Sequence, residues 1–253
     1  MTNGSGDFPG EPIAMDGGKP RPVAPVWHTV ILLIFIIGIS ALERPQALTQ
    51  ATIQISRIGT YLLTLAYELV LLAYVWFLGL MLHGVALREI IGGKWQHGRD
   101  FLIDVAIALL FWVAVVGLLT FAHFVLGFSG VDAAKSMYPK TLPELGVFVV
   151  LAVFAGFCEE IIFRGYLQRQ FTAWTGNVSA GVVLQAIVFG AGHIYQGWKG
   201  VVVISAYGAM FGVLAAFRKS LRPGIMQHCA QDGFSGIAVW VAQKYHLLPM
   251  ILR

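Results

Sequence analysis

The chain has 253 residues, of which 57% are hydrophobic and only 12% are charged, and its mean hydropathy is +0.74. A soluble domain contains roughly 45–50% apolar and about 25% charged residues, so this composition excludes a soluble globular protein and indicates an integral membrane protein. The net charge of +4 is not concentrated in a basic cluster with interleaved aromatic residues, which argues against a nucleic-acid partner.

The chain begins with a polar segment. Residues 1–25 are rich in glycine and proline and show no apolar periodicity, so we predict a disordered tail there and a transmembrane domain over residues 26–253. The acidic residues Asp7, Glu11 and Asp16 and the lack of a small-x-small cleavage site argue against a cleaved signal peptide.

Seven apolar segments follow in chain order. A bilayer-spanning helix needs about 20 largely apolar residues. The segments lie near Trp27–Leu42, Ile58–Leu82, Phe101–Phe128, Leu145–Phe171, Val178–His193, Gly200–Phe217 and Pro223–Ala242. The first and fifth are short, which suits a tilted, interfacial or partly re-entrant helix. The sequence thus predicts an all-α, polytopic transmembrane helix bundle of about seven spans without a soluble domain.

Lysine and arginine distribution gives an orientation. By the alternation of the spans, four connecting segments fall on one side of the membrane and carry more Lys and Arg than the other side. By the positive-inside rule that side is cytoplasmic. The four segments are the tail, the Arg88–Arg99 loop, the Arg164–Ser179 joint and the Arg218–Arg222 turn.

The fourth predicted span contains three charged side chains, those of Glu159, Glu160 and Arg164. One charge at the centre of a bilayer helix costs on the order of 3 kcal/mol, so three in a single span indicate a function. A spacing of four residues puts Glu160 and Arg164 on one helix face as a candidate ion pair. Glu159 points about 100° away, which leaves its carboxylate free for another partner.

Two histidines occur in similarly apolar segments, His193 at the end of the fifth span and His228 in the seventh. If spans four and five form a hairpin that turns near Thr175, Glu160 and His193 lie at similar depth, which favours one shared site. The spacing of His228 and Asp232 places an imidazole and a carboxylate on one helix face. Either Asp232 orients His228 or the two act together on a ligand. The two histidines can meet only if the sixth span is tilted or if the sixth and seventh segments extend to different depths in the membrane.

Other polar residues in the spans have simpler interpretations. Glu68 pairs with a motif residue or lines a cavity, whereas Asp104, near the start of the third span, suits a snorkelling role at a helix end. Cys158 and Cys229 each neighbour a motif residue, but a small residue in a packed helix explains them better than a thiol nucleophile. The Gly208-x-x-x-Gly212 pattern predicts a helix-packing patch.

Three ordered motifs, Glu-Glu-x-x-x-Arg, Phe-x-x-x-His and His-x-x-x-Asp, lie on successive hydrophobic segments. Together they resemble the motifs of the CAAX protease and bacteriocin-processing (CPBP) family of intramembrane endopeptidases, which includes the type II CAAX prenyl endopeptidases. The resemblance covers about Leu145 to Ala242 and implies a catalytic core at about 145–242, with a catalytic cavity within the C-terminal helices. The first three spans match by hydropathy only.

The resemblance also implies a role for each motif residue on the glutamate and first histidine segments. It implies Glu159 as the carboxylate that activates water, and Glu160 with Arg164 as its structural support. It implies His193 as a second group beside that water. The reaction expected is hydrolysis of a peptide bond in a membrane-associated peptide or protein.

On the last segment the resemblance implies that His228 and Asp232 stabilise the oxyanion. The eukaryotic prenyl endopeptidases have asparagine where this chain has Asp232. An asparagine NH₂ donates to an oxyanion, while an ionised aspartate repels it. Asp232 must therefore be protonated, orient His228 or bind a metal. We assume no cofactor; a divalent metal such as Zn²⁺, if one binds, would take Glu159, His193 and His228 as ligands.

Alternative functions remain open on the sequence. A non-catalytic immunity or scaffold membrane protein would keep the fold and bind a partner, but all motif residues are present in some allowed form, which favours the enzyme. An ion-coupled transporter also uses buried carboxylates and histidines, yet here they cluster in one half and no inverted repeat is visible. A purely structural interpretation is that a buried Glu-Arg ion pair holds two helices together and that the histidines are only packing residues.

The expected partners are a membrane-associated peptide or protein substrate and the lipid bilayer. The length of the chain and its single block of motifs favour a bacterial source, and so a multi-pass protein of the cytoplasmic (inner) membrane. The sequence does not specify the oligomeric state.

Overall fold

The computed structural model describes residues 15–16, 19–20, 22–42, 55–130 and 136–246. Apart from a two-residue antiparallel pair, Met15–Asp16 with Lys19–Pro20, the described chain is helical. The α-helices are α1 Val26–Leu42, α2 Arg57–Ala73, α3 Leu87–Ile91, α4 Gly98–Leu126, α5 Leu142–Glu159, α6 Gln168–Thr175, α7 Val178–Ala191, α8 Gly197–Arg218 and α9 Arg222–Lys244. The all-α prediction is confirmed.

Four helical stretches of the described chain are long and apolar enough to cross a membrane: Arg57–His83, Gly98–Leu126, Leu142–Thr175 and Ile194–Arg218. They correspond to the second, third, fourth and sixth predicted spans, and the protein is a multi-pass membrane protein. The first and fifth predicted spans are the shorter apolar helices Val26–Ala41 and Val178–Ala191. Helix α9 is long but more polar, so a total of seven spans stays a prediction.

Two of the long stretches change helix type part-way. Helix α2 continues through a π-helical segment, Tyr74–Leu80, and a 3₁₀ turn, Met81–His83. Helix α5 continues through a π-helical segment, Glu160–Leu167, into α6. The wider π turn rotates the side chains that follow relative to an α-helix, and such segments are frequent at functional sites. The second one begins at the glutamate pair.

Local signals define the ends of the helices that carry the motifs. Thr141 caps α5 by accepting from the Glu144 backbone N–H, and Glu144 accepts in return from the Thr141 N–H at 3.3 Å, which forms a capping box. Helix α6 ends at Gly176, whose φ of +67° is the left-handed conformation that glycine adopts without a steric penalty. Asn177 then caps α7 through the Ala180 N–H. The hairpin predicted near Thr175 therefore forms there.

Glycines allow the helices of the motif region to approach closely. A Cβ on Gly156 of α5 would lie 2.9 Å from the Cys229 backbone nitrogen of α9, so the two helices meet there without a side chain between them. The Gly208–Gly212 patch of α8 faces α7, and a Cβ on Gly208 would lie 3.0 Å from the Phe189 ring. The predicted packing role of this patch is confirmed.

The Arg88–Arg99 loop and the Arg218–Arg222 turn lie together at one end of the bundle, where the Leu221 N–H donates to the Ile91 carbonyl at 3.0 Å. Asp104 is fully buried beside them. Its carboxylate lies 3.2 Å from Arg218 Nη2 and 2.9 Å from Arg222 Nε, and it accepts from Trp95 Nε1 at 2.9 Å. The predicted snorkelling role of Asp104 is wrong, because cations from the turn before α9 reach the carboxylate inside the protein.

Most of the predicted tail lies outside the residues that the structure describes, but its end packs on the bundle. The Gln170 side chain of α6 is fully buried and accepts from the backbone N–H groups of Val23 and Ala24 at 2.7 and 3.1 Å. Its amide also donates to the Ala24 carbonyl. Two residues into α1, His28 lies 2.7 Å from the Tyr166 hydroxyl of the second π-helical segment. This N-terminal stretch thus supports the helix that carries the glutamates.

Candidate active site

The glutamate pair lies where α5 passes into the π-helical segment. Glu160 and Arg164 are 1% and 2% exposed, and Arg164 Nη1 lies 3.0 Å from Glu160 Oε1. The guanidinium also packs over the rings of Phe189 and Phe211, at 4.4 and 5.0 Å from their centroids, and donates from Nη2 to the Gly208 carbonyl at 3.3 Å. The expected ion pair is present, and the guanidinium is enclosed by aromatic faces that favour a cation.

His228 of α9 lies among the carboxylates. Its Nδ1 is 3.0 Å from Glu160 Oε1, while its Nε2 is 3.5 Å from Glu159 Oε2 and 3.7 Å from Asp232 Oδ2. Because an ionised carboxylate can only accept, Nδ1 carries the proton shared with Glu160, and Nε2 points to the Glu159 and Asp232 side. The carboxylate closest to the imidazole is therefore that of Glu160, at Nδ1, whereas Asp232 lies near Nε2.

His193 follows α7 and joins the same group of side chains. Its Nδ1 lies 2.8 Å from the Phe189 carbonyl oxygen, which can only accept, so Nδ1–H is the donor and Nε2 carries a lone pair. The Phe189 ring lies near both histidines, with its centroid 4.9 Å from that of the His193 ring and 6.3 Å from that of the His228 ring. The structure thus brings the three motifs together around Phe189.

A cavity of about 950 Å³ opens beside these residues. Glu159, His193, His228 and Asp232 line it, whereas Glu160 and Arg164 lie behind the lining. The walls come from both halves of the chain: α2 contributes Thr64 and Glu68, and α4 the face from Trp112 to Phe124. The rest of the lining comes from α5, α7, α8, α9 and connecting segments. The cavity is thus not confined to the C-terminal helices.

Glu159, His193 and His228, the ligands expected if a metal binds, do not form a metal site in this structure. Among the residues of known placement, no group of three or more His, Cys, Asp or Glu side chains could hold an ion. The chemistry proposed for this site therefore uses the protein's own side chains alone.

Neither cysteine belongs to the site. Cys158 is fully buried, and the Cys229 thiol donates to the Val153 carbonyl at 3.2 Å. Neither side chain lines the cavity. The interpretation of both as small packing residues thus agrees with their positions.

Sequence reasoning did not single out several buried polar residues behind the site. Gln185 of α7 and Gln168 of α6 donate to the Gly208 and Gly212 carbonyls of α8, at 2.9 and 3.0 Å. Tyr207, also on α8, packs against His228 and lines the cavity. A glutamine next to a small-residue patch was the available signal for the first two residues, because amide side chains bond across helices where backbones approach. For Tyr207 the sequence held no such signal.

Part of the chain matches a known protein family. Residues 141–234 match the family model described as type II CAAX prenyl endopeptidase Rce1-like. This segment is thus similar to that family. All six motif residues fall inside it, and the resemblance to the CAAX protease family is confirmed over that range. The Rce1-like family is a protease family, which supports a hydrolase. No curated protein and no solved structure matches the chain significantly.

Proposed function

We propose that this protein is an intramembrane endopeptidase that hydrolyses a peptide bond with a water activated by Glu159. The observation that carries the proposal is the placement of His228, with Glu160 at Nδ1 and with Glu159 and Asp232 at Nε2, beside the cavity. Two carboxylates and an imidazole, from α5 and α9, thus face one space that a substrate can enter.

Glu159 and His193 supply the acceptors for the attacking water. The Glu159 side chain is 15% exposed and lines the cavity, so its carboxylate can receive a proton from a water there. The His193 Nε2 lone pair accepts the second water proton as a hydrogen bond. Two acceptors on one water direct its oxygen lone pair toward the carbonyl carbon of the substrate.

Glu160 and Arg164 act through His228. The ion pair fixes the Glu160 carboxylate, and the carboxylate fixes the orientation and tautomer of the imidazole. With Nδ1–H directed to Glu160, the substrate side of the imidazole is Nε2. When protonated, Nε2 donates toward the tetrahedral intermediate. The proton taken by Glu159 then passes to the leaving amine as the carbon–nitrogen bond breaks.

The substrate that fits this site is a membrane-associated peptide or protein segment. The cavity walls are mainly apolar, and α2 and α4, whose outer faces carry many exposed hydrophobic side chains, form one side. Such a chamber suits a segment that arrives from the bilayer. We place the protein in the cytoplasmic membrane of a bacterium. Its substrate there would be a bacteriocin precursor, a regulator or a signal-like peptide, and not the prenylated CAAX termini that the eukaryotic relatives process.

The test compares the membrane peptidome of cells that express the wild-type protein with that of cells that express Glu159→Gln. Peptides whose processing depends on Glu159 should accumulate uncleaved in the variant and identify the substrate. Glu89→Gln is the matched control, because it makes the same chemical change at an exposed position of α3. Identical peptidomes in wild type and Glu159→Gln, at equal protein levels, would contradict the proposal and favour a non-catalytic scaffold.

A further inference from the structure

Peptide hydrolysis requires a hydrogen-bond donor to the oxyanion, and the motif side chains have few free donors. Ionised Glu159 and Asp232 only accept. The Nδ1–H of His193 is bonded to the Phe189 carbonyl. Arg164 is held by Glu160 and Gly208 behind the cavity lining. With both carboxylates ionised, only Nε2 of His228 among these groups can turn a proton toward the substrate, and the two carboxylates compete for it.

Tyr207 brings a further donor to the same place. It lies on the buried face of α8, one turn before Phe211, and is 7% exposed. Its ring is 5.6 Å from the His228 ring and 4.6 Å from the Phe211 ring, and the residue lines the cavity with Glu159. Tyr207 is thus fixed by aromatic packing at the side of the imidazole.

The Tyr207 hydroxyl is buried and has no hydrogen-bond partner among the described residues. Buried hydroxyls normally have a partner, because the loss of hydration is otherwise uncompensated. A phenylalanine would make the same ring contacts with His228 and Phe211 without that penalty. The hydroxyl therefore indicates a partner that enters the site from outside the protein.

We propose that Tyr207 is a catalytic residue whose hydroxyl donates a hydrogen bond to the oxyanion of the tetrahedral intermediate. The inference rests on the proposed endopeptidase activity and deepens it. As the water oxygen bonds to the carbonyl carbon, a water proton moves to Glu159 and negative charge forms on the carbonyl oxygen. The Tyr207 O–H bond stays intact and its dipole stabilises that charge in a site of low polarity. Collapse of the intermediate breaks the carbon–nitrogen bond and ends the interaction.

The test uses the full-length protein and the membrane peptides whose processing depends on Glu159. Tyr207→Phe should lower kcat for such a peptide by about 10²–10³-fold, with KM changed by less than about threefold, because the donor acts mainly on the transition state. The thermal unfolding midpoint in detergent should not fall, since the ring packing remains. Tyr245→Phe, at an exposed tyrosine just after α9 and outside the cavity lining, should keep the wild-type kcat.

A rescue distinguishes a lost donor from a structural defect. Asp232→Asn introduces an amide N–H on the same side of His228, so the double variant Tyr207→Phe/Asp232→Asn should recover at least about tenfold in kcat over Tyr207→Phe alone. Tyr207→Phe with wild-type kcat would overturn the inference while leaving the endopeptidase intact. Loss of activity together with a lowered unfolding midpoint and no rescue would overturn it too. If no peptide depends on Glu159, the proposed function itself fails.

Discussion

Glu160 Oε1 lies 3.0 Å from His228 Nδ1, and this contact joins α9 to the start of the π-helical segment inside the bundle. The same oxygen lies 3.0 Å from Arg164 Nη1. One carboxylate oxygen therefore contacts both the Arg164 guanidinium and the His228 imidazole. The orientation of the imidazole thus depends on Glu160, which does not line the cavity. The Glu-Arg pair and the imidazole form one unit.

Removal of one member of that unit should cost both stability and activity. Arg164→Met leaves the buried Glu160 carboxylate without its cation, so we expect the free energy of unfolding to fall by about 3–5 kcal/mol. The double variant Glu160→Gln/Arg164→Met should be less destabilised than the sum of the two single variants, because no unpaired buried charge remains. Chemical unfolding in detergent micelles measures these differences. Additive effects would mean that the pair is not coupled.

Replacement of Asp232 should separate a hydrogen-bonding role from a role of its charge. Its carboxylate lies 3.7 Å from His228 Nε2 and its side chain is 39% exposed. Asp232→Asn keeps a polar group of the same shape beside the imidazole, so it should retain at least about tenfold more activity than Asp232→Ala, the equivalent of one hydrogen bond. Steady-state cleavage of a Glu159-dependent peptide measures both. The reverse ranking would show that a negative charge is needed.

The close approach of α5 and α9 should be required for the contact between Glu159 and His228. A Cβ on Gly156 would meet the Cys229 backbone nitrogen at 2.9 Å, and backbone cannot yield as a flexible side chain does. Gly156→Ala should therefore separate the helices one turn from the glutamates and lower kcat roughly 10²-fold, the cost of a misplacement of about 1 Å.

Gly146→Ala is the matched control for this change. It lies on the same helix, and a Cβ there meets nothing within 4 Å. It should keep full activity and should be more stable by up to about 1 kcal/mol, because alanine favours the helix. Equal kcat values for the two variants would contradict the role of the close approach.

Treatment with a chelator should leave the activity unchanged. Among the described residues, no group of three or more His, Cys, Asp or Glu side chains could hold a metal ion, so we expect the reaction to proceed without one. Purified protein dialysed against a strong chelator should cleave a Glu159-dependent peptide at the rate of the untreated sample. Loss of activity that Zn²⁺ restores would show that the site rearranges to bind metal.

Hydropathy and spacing predicted much of the architecture because both depend on local sequence. The ends of the predicted fourth span, Leu145–Phe171, fall within the observed stretch Leu142–Thr175, and the Glu160–Arg164 pair follows from helical periodicity. The π-helical form of Glu160–Leu167 was not predicted, because the hydrogen-bond shift that creates it depends on how the neighbouring helices pack. Asp104 was misinterpreted for the same reason: its two arginine partners are more than 100 residues away.

The sequence by itself determined that the chain is a helical membrane protein and that three ordered motifs carry its polar groups, since composition and periodicity act at short range. Only the tertiary structure decided that Glu160 contacts Nδ1 of His228 and that Asp232 lies near Nε2 of the same ring. It also decided that helices from the N-terminal half line the cavity, and that the Tyr207 hydroxyl beside it has no partner among the residues that the structure describes. Those relationships depend on the rotation and crossing of helices, which close contacts such as Gly156 against Cys229 set and which no single helix encodes.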